Sequence, residues 1–277
     1  MLFVVVTVTA AGEAKDLIAA DNSAVQKAEK ENFDLRFPLR HNLFKVVPNM
    51  NDYGYIKRNL DSLLEDIELI SGKVGIPAPK LVAVTKSGTD EELVALCRAG
   101  ALAIGENRPG ELARRGALLS DLGLSPELHQ IGTLQSNKAK LVCPAAALIH
   151  SLDSLSLAKE LDKQGKKLSR KIPVLIEVNS AEEPQKGGIL PRDTERFIEE
   201  LGGFGSLELR GLMTMGPASS DAELLRGYFR TTRALFDRLS AHFGPAPVLS
   251  MGMSGSYRVA IEEGSTLVRV GTRLFVK

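Results

Sequence analysis

The sequence lacks the residues that announce several common classes of protein. Among 277 residues there is no tryptophan, and there are only four tyrosines, ten phenylalanines and two cysteines. Cys97 and Cys143 have no second cysteine or histidine at C-x-x-C or related spacing, which excludes a zinc site and a disulfide framework. They read as small hydrophobes in a reducing compartment. An excess of one charge is missing too: 35 Lys+Arg face 34 Asp+Glu, too even a balance for a broad nucleic-acid surface. No run approaches the roughly 20 apolar residues that span a bilayer. The expectation is a cytoplasmic globular protein with no metal site and no nucleic-acid or membrane partner. With 44% hydrophobic residues, it has enough apolar surface for one large core or two smaller ones.

Residues 1–49 differ in texture from the rest. Leu2 to Ala11 imitates the apolar heart of a signal peptide, but no Lys or Arg precedes it. Ala19 to Pro48 shows no sustained periodicity and reads as an extension, either disordered or the product of an upstream start. From Met50 the pattern tightens. Ile56, Leu60, Leu63, Leu64, Ile67 and Ile70 recur three or four apart, the spacing of one helix face. The expected division is therefore an extension over 1–49 and a folded unit over 50–277 that opens with an extra helix.

Beyond Lys80, β-rich runs alternate with helical stretches. Strands are predicted at Leu81–Thr85, Leu102–Gly105, Leu128–Ile131, Ala147–Ser151, Val174–Asn179, Leu209–Thr214, Pro247–Met251 and Thr266–Val270. Helices are predicted between them at Asp90–Ala99, Pro109–Leu119, Leu134–Val142, Leu155–Gln164, Asp193–Leu201, Ala222–Phe243 and near Tyr257–Glu263. Thr89 with Glu92 forms a capping box, and Gly100 stops the helix that follows it. Eight βα units in about 200 residues fit a single closed (β/α)8 TIM barrel at its lower size limit. An open doubly wound sheet is the rival, but no G-x-G-x-x-G follows the first strand.

Barrel chemistry sits at the carboxyl ends of the strands, so the residues just beyond each run matter most. Lys86 ends the apolar run Leu81-Val82-Ala83-Val84. Dry neighbours would disfavour its ammonium form and leave an amine able to attack carbonyls. The plain alternative is a lysine snorkelling from the rim. After strand seven come Ser250-Met251-Gly252-Met253-Ser254-Gly255-Ser256, and after strand eight Arg269-Val270-Gly271-Thr272. Both are small-residue turns whose amides could close around a phosphate. A strand-end amine facing two such turns suggests a phosphorylated aldehyde held at both ends, which describes pyridoxal 5′-phosphate.

These runs also carry a family resemblance. Ala83-Val84-Thr85-Lys86, Gly105-Glu106-Asn107, Ile131 to Lys138, His150-Ser151-Leu152-Asp153, Gly211 to Pro217, Leu249 to Ser254 and Val268 to Thr272 closely resemble, in order and spacing, the YggS/PROSC family of pyridoxal phosphate homeostasis proteins. The resemblance runs from about Met50 to the end. It implies a barrel of the alanine racemase N-terminal type, with Lys86 as the Schiff-base lysine. It implies that Ser254, Gly255, Gly271 and Thr272 hold the phosphate, that Arg269 meets the pyridine nitrogen and that Asn107 lines the pocket. His129 stands evenly between pocket wall and satisfied interior histidine.

The chain departs from the family after strand five. There Gln185 replaces a serine before Lys186, which is either a second amine or a solvated loop charge. Val276 stands where the family has glycine, and the 1–49 extension has no family counterpart. An arginine at the pyridine nitrogen makes a weak electron sink, since it disfavours a protonated ring. Racemases of this type recruit a second base from a further domain, whereas only Arg273–Lys277 follow the last phosphate turn here. The resemblance therefore implies a carrier or regulator, with pyridoxal phosphate-dependent apoenzymes as recipients and little turnover. The helices Asp90–Ala99 and Pro109–Leu119 show no exposed apolar excess for a dimer face, which makes a monomer the expectation. The enzymatic alternative is a single-domain amino-acid racemase. A metal- or phosphate-dependent barrel enzyme would need a strand-end carboxylate cluster, for which Glu106, Asp153 and Glu177 are the candidates.

Overall fold

A computed structural model describes residues 52–183, 187–217 and 219–277. The 1–49 extension and Lys186 lie outside the described residues. The first described helix, α1 (Gly54–Val74), buries Ile56, Leu60, Leu63, Ile67 and Ile70, one stripe of the predicted periodicity, and stops at Gly75 in the left-handed conformation. Eight parallel strands then close in sequence order, β1 pairing with β8. They are β1 (Lys80–Val84), β2 (Ala103–Glu106), β3 (Glu127–Gln130), β4 (Ala146–Leu152), β5 (Ile172–Glu177), β6 (Leu207–Met213), β7 (Val248–Ser250) and β8 (Leu267–Val270). Each lies within two residues of its predicted bounds, because continuous apolar runs between turn residues leave little freedom in placing a buried parallel strand.

The covering helices are α2 (Asp90–Arg98), α3 (Pro109–Asp121), α4 (Ala139–Val142), α5 (Leu155–Leu168), α6 (Thr194–Leu201), α7 (Ala222–Arg238) and α8 (Tyr257–Glu262). The Thr89–Glu92 capping box opens α2 as predicted: the Glu92 amide donates to Thr89 Oγ1, and the Thr89 amide donates to the Glu92 carboxylate. Three predicted helices differ. The one predicted at Leu155–Gln164 runs four residues further, to Leu168, where Ser169 caps it in the left-handed conformation. The stretch 134–142 starts as a 3-10 turn over Ser136–Lys138, where short polar side chains favour turns, and only Ala139–Val142 is α-helical. The stretch 222–243 ends its α-helix at Arg238, and Ser240–His242 form a separate 3-10 turn ahead of Gly244 and Pro245. No helix among the described residues is long and apolar enough to cross a membrane.

Strand alternation sorts side chains into two cores. Val82, Ala103, Leu148, Leu175, Met213 and Leu267 fill the barrel interior. Their neighbours Ala83, Ile104, Ile149, Val174, Ile176, Leu212 and Val268 face the helices. This interior plug is apolar but runs beside a buried polar row that includes His129, His150 and Ser250, and further polar residues one or two positions along the strands collect at the carboxyl-terminal mouth. Cys143 is buried and Cys97 half-buried, both as free thiols, and burial pushes the Cys143 thiol up to about 11 and the Cys97 thiol up to about 12.

Candidate functional site

The mouth holds a cavity of about 400 Å³. Lys86, Asn107, Ser254, Gly255, Arg269, Gly271 and Thr272 all line it, drawn from the ends of four strands. Lys86 lies just past β1. Its apolar strand predicts a dry amine, but the side chain is exposed in the cavity mouth. The reason is positional: the strand's apolar residues are spent on the plug and on α1 and α2, and Lys86 begins the turn beyond them.

That turn is clamped from outside. Arg115 on α3, 7% exposed, donates from Nη1 to the Thr85 carbonyl (2.8 Å) and from Nη2 to the Gly88 carbonyl (2.6 Å), on either side of Lys86. The same guanidinium pairs with the buried Glu106 carboxylate at 2.6 Å, and Thr85 Oγ1 donates to that carboxylate as well. Asp90 accepts from Arg115 Nε at 3.2 Å. Glu106 therefore serves as a strut for the lysine turn and faces the helices, and it does not belong to a strand-end carboxylate cluster in the cavity.

The opposite wall comes from the turns after β7 and β8, which are sewn together. The Gly271 amide donates to Ser254 Oγ (3.2 Å), and the Arg269 amide donates to the Gly252 carbonyl (3.0 Å). Gly252 has φ +91°, and a Cβ there would stand 2.6 Å from the Ala260 Cβ. At Gly271 a Cβ would fall 2.8 Å from the Val84 carbonyl oxygen, so only glycine lets the last turn close against β1. The Gly255 amide has no backbone partner among the described residues, and the first amides of the 3-10 turn Thr272–Leu274 have none within that turn. This rim offers donors to an anion.

Arg269 is 4% exposed. Its Nη1 donates to the Ser250 carbonyl (3.0 Å) and Ser250 Oγ (2.5 Å), and its Nη2 donates to the Thr214 carbonyl (3.0 Å). Three of the five guanidinium donors are thus used, which leaves two in a residue that lines the cavity. Burial lowers its pKa to about 10, with the more distant Glu177 pulling the other way.

Glu177, set apart in the sequence as an in-strand residue, also lines the cavity and is 5% exposed. Burial, and then the Asp153 charge, raise its carboxyl to about 7. Alternation along β5 could have found it, since Leu175 points into the barrel and Glu177 follows two residues on. His129 is not on the cavity wall. It lies 1% exposed inside the barrel, bonded to His150 and Glu127, which makes it the satisfied interior histidine.

A phosphorylated pyridine aldehyde fits these residues: an amine at the mouth, an amide-rich rim opposite, and a guanidinium with spare donors between them. The comparisons with known proteins agree with the geometry. The alanine racemase N-terminal domain family matches residues 58–277. A pyridoxal phosphate homeostasis protein of Aquifex aeolicus is 41% identical over 197 residues, 71% of this chain and 86% of the relative. One from Vibrio alginolyticus is 33% identical over 224 residues, covering 79% of this chain and 96% of the relative. The solved structure of PipY from Synechococcus elongatus, with pyridoxal phosphate bound, superposes with a TM-score of 0.69 at 31% identity, covering 80% of this chain and 100% of that one. Alanine racemase from Corynebacterium glutamicum shares the fold, with a TM-score of 0.61 at 19% identity over 80% of this chain and 60% of that one. By its sequence and by the barrel that carries its seven motifs, the chain belongs to the family of pyridoxal phosphate homeostasis proteins.

Proposed function

We propose that this protein binds pyridoxal 5′-phosphate in the mouth cavity and serves intracellular pyridoxal phosphate homeostasis in the cytoplasm. The observation that carries the reading is the convergence of Lys86, Arg269 and the sewn turns at Ser254–Gly255 and Gly271–Thr272 on one cavity. When bound, the cofactor supplies an aldehyde that links covalently to an amine. Lys86 is placed to be that amine, exposed enough to exchange and held by the Arg115 clamp. Ser254, Gly255, Gly271 and Thr272 hold the phosphate, Arg269 offers a donor to the pyridine nitrogen, and Asn107 closes the side. Because a guanidinium is a donor only, it favours an unprotonated ring and hence weak carbanion stabilisation. That suits a carrier that hands cofactor to apoenzymes as a monomer.

The test is spectroscopic. Purified protein saturated with pyridoxal phosphate is expected to show a visible absorption band that Lys86→Ala abolishes. A band of equal intensity in Lys86→Ala would end the assignment of the amine.

One observation favours a second reading, amino-acid racemisation. Glu177 places a carboxyl of pKa about 7 in the same cavity, where it could serve as the second acid–base group that a single-domain racemase needs. Deuterium incorporation at Cα of alanine in D2O separates the readings: exchange lost in both Lys86→Ala and Glu177→Gln would favour the racemase, and negligible exchange would favour the carrier.

A further inference from the structure

Inside the barrel, a row of polar side chains leads away from the cavity toward the amino-terminal mouth. Arg269 Nη1 meets Ser250 Oγ at 2.5 Å, Ser250 Oγ meets His150 Nδ1 at 3.1 Å, and His150 Nε2 meets His129 Nδ1 at 2.9 Å. His129 Nε2 then meets Glu127 Oε2 at 3.2 Å, and Glu127 Oε1 pairs with Lys80 Nζ at 2.5 Å. Ser250 and His150 are fully buried and His129 nearly so, whereas Glu127 is exposed at the start of β3.

With both rings neutral, the Glu127 end of this row sets its polarity, and the Arg269 end is compatible with it. Glu127 is held ionised, at about pKa 2, chiefly by its bond to His129 and also by Lys80, so it only accepts. His129 must therefore carry its proton on Nε2 and accept on Nδ1. His150 must then donate from Nε2 and accept on Nδ1, which makes Ser250 donate to His150. At the other end Arg269 only donates, so Ser250 Oγ must accept from it, as the same sequence requires. Every donor in the row points from the cavity to the floor. Each imidazole then uses one N–H and one lone pair, so the row runs one way only with both rings neutral. Protonating either would turn the Ser250 hydroxyl away from His150 and break the single direction of the row. Burial lowers the pKa of both, most strongly for His150.

We propose that Glu127, His129, His150 and Ser250 are positioning residues that orient Arg269 from the barrel floor and fix which of its donors face the cofactor ring. The consequence for the cofactor rests on the reading that Arg269 meets the pyridine nitrogen, while the polarity of the row is a property of the protein itself. Aligned bonds polarise one another in a dry interior, so a change at the exposed carboxylate is felt at the guanidinium. Backbone carbonyls and a hydroxyl are used where carboxylates would otherwise bind an arginine, so Arg269 is held without being given an ion-pair partner in contact.

Nitrogen-15 NMR of the histidine side chains, on the full chain without cofactor, reads the row directly. Both His129 and His150 are expected as neutral Nε2–H tautomers at neutral pH, and either ring found as Nδ1–H or doubly protonated would overturn the polarity. Glu127→Ala, at an exposed position remote from the cavity, is expected to weaken pyridoxal phosphate binding by about threefold to tenfold and to move the visible band. His150→Leu, which cuts the row at its middle, should do at least as much; thermal melts of the two variants check that the barrel is intact. Unchanged affinity and band in Glu127→Ala, in a protein where Arg269→Met alters both, would overturn the positioning role. If Arg269→Met alters neither, the placement of Arg269 at the ring fails and the proposed influence on the cofactor fails with it, leaving the tautomers to stand or fall by NMR.

Discussion

Two buried arginines stand on opposite faces of the same sheet and are held in different ways. Arg115, between barrel and helices, is paired with the Glu106 carboxylate, and three more of its donors go to Asp90 and to two backbone carbonyls. Arg269, inside the barrel, meets only carbonyls and a hydroxyl; no carboxylate among the described residues lies within ion-pair distance of it. A guanidinium locked to a buried carboxylate is a structural fastener. One left with spare donors at a cavity is available to a ligand. The difference lies in the partners, since both side chains are nearly excluded from water.

The largest effect is expected on the outer side. Arg115→Ala leaves the Glu106 carboxylate buried without its cation and releases both carbonyls that flank Lys86. Breaking such a pair costs about 3–5 kcal/mol, enough to lower the melting temperature by many degrees in urea or thermal unfolding. Retention of wild-type stability would show that the Lys86 turn does not depend on the clamp.

Inside the barrel, Glu177 tests whether Arg269 is truly left without a close counter-charge. A carboxyl raised from 4.5 to about 7 binds its proton more tightly in the folded than in the unfolded chain. Stability is therefore fullest at low pH and falls as pH climbs through that window, the whole cost being present above about pH 7. Glu177→Gln mimics the protonated form and removes the cost. It should raise stability by about 2–3 kcal/mol at alkaline pH, a gain that vanishes below about pH 4. Denaturant midpoints across that range check this, and a gain independent of pH would show that Glu177 is compensated in contact after all.

Arg269→Met should cost less than Arg115→Ala, because it strands two carbonyls and a hydroxyl rather than a charge. About 1–3 kcal/mol is expected by urea unfolding. An equal loss in the two variants would erase the distinction between fastener and ligand-facing arginine.

Much of this arrangement was legible in the sequence, and for a local reason. Glycine and serine turns after β7 and β8, a lysine directly after β1 and a capping box at Thr89 are each written in a few adjacent residues. The barrel follows from the βα alternation. What escaped depends on how distant strands meet. His150 and Ser250, 100 residues apart, were visible only as parts of family motifs, and their bond is set by the barrel's closure. Glu106 looked like a cavity carboxylate, but it is the alternate residue that turns outward to Arg115. Glu177 looked like a strand residue, yet its parity with Leu175 brings it into the cavity. Lys86 looked dry because its strand is apolar, whereas its position one step beyond the strand leaves it open.

The smallest effect separates the two ends of the cavity. Ser254 Oγ accepts from the Gly271 amide, so its own proton stays available to an anion. Ser254→Ala removes one donor and one inter-loop bond, a loss of about 1 kcal/mol and about fivefold in affinity. That loss should appear with pyridoxal 5′-phosphate and be absent with pyridoxal, which lacks the phosphate. Arg269→Met should weaken both ligands alike, because the ring nitrogen is common to them. Titrating the two ligands against the two variants therefore assigns the rim to the anion and the interior arginine to the ring. Equal losses of both ligands in Ser254→Ala would mean that the serine only fastens the two turns, as Arg115 fastens the first.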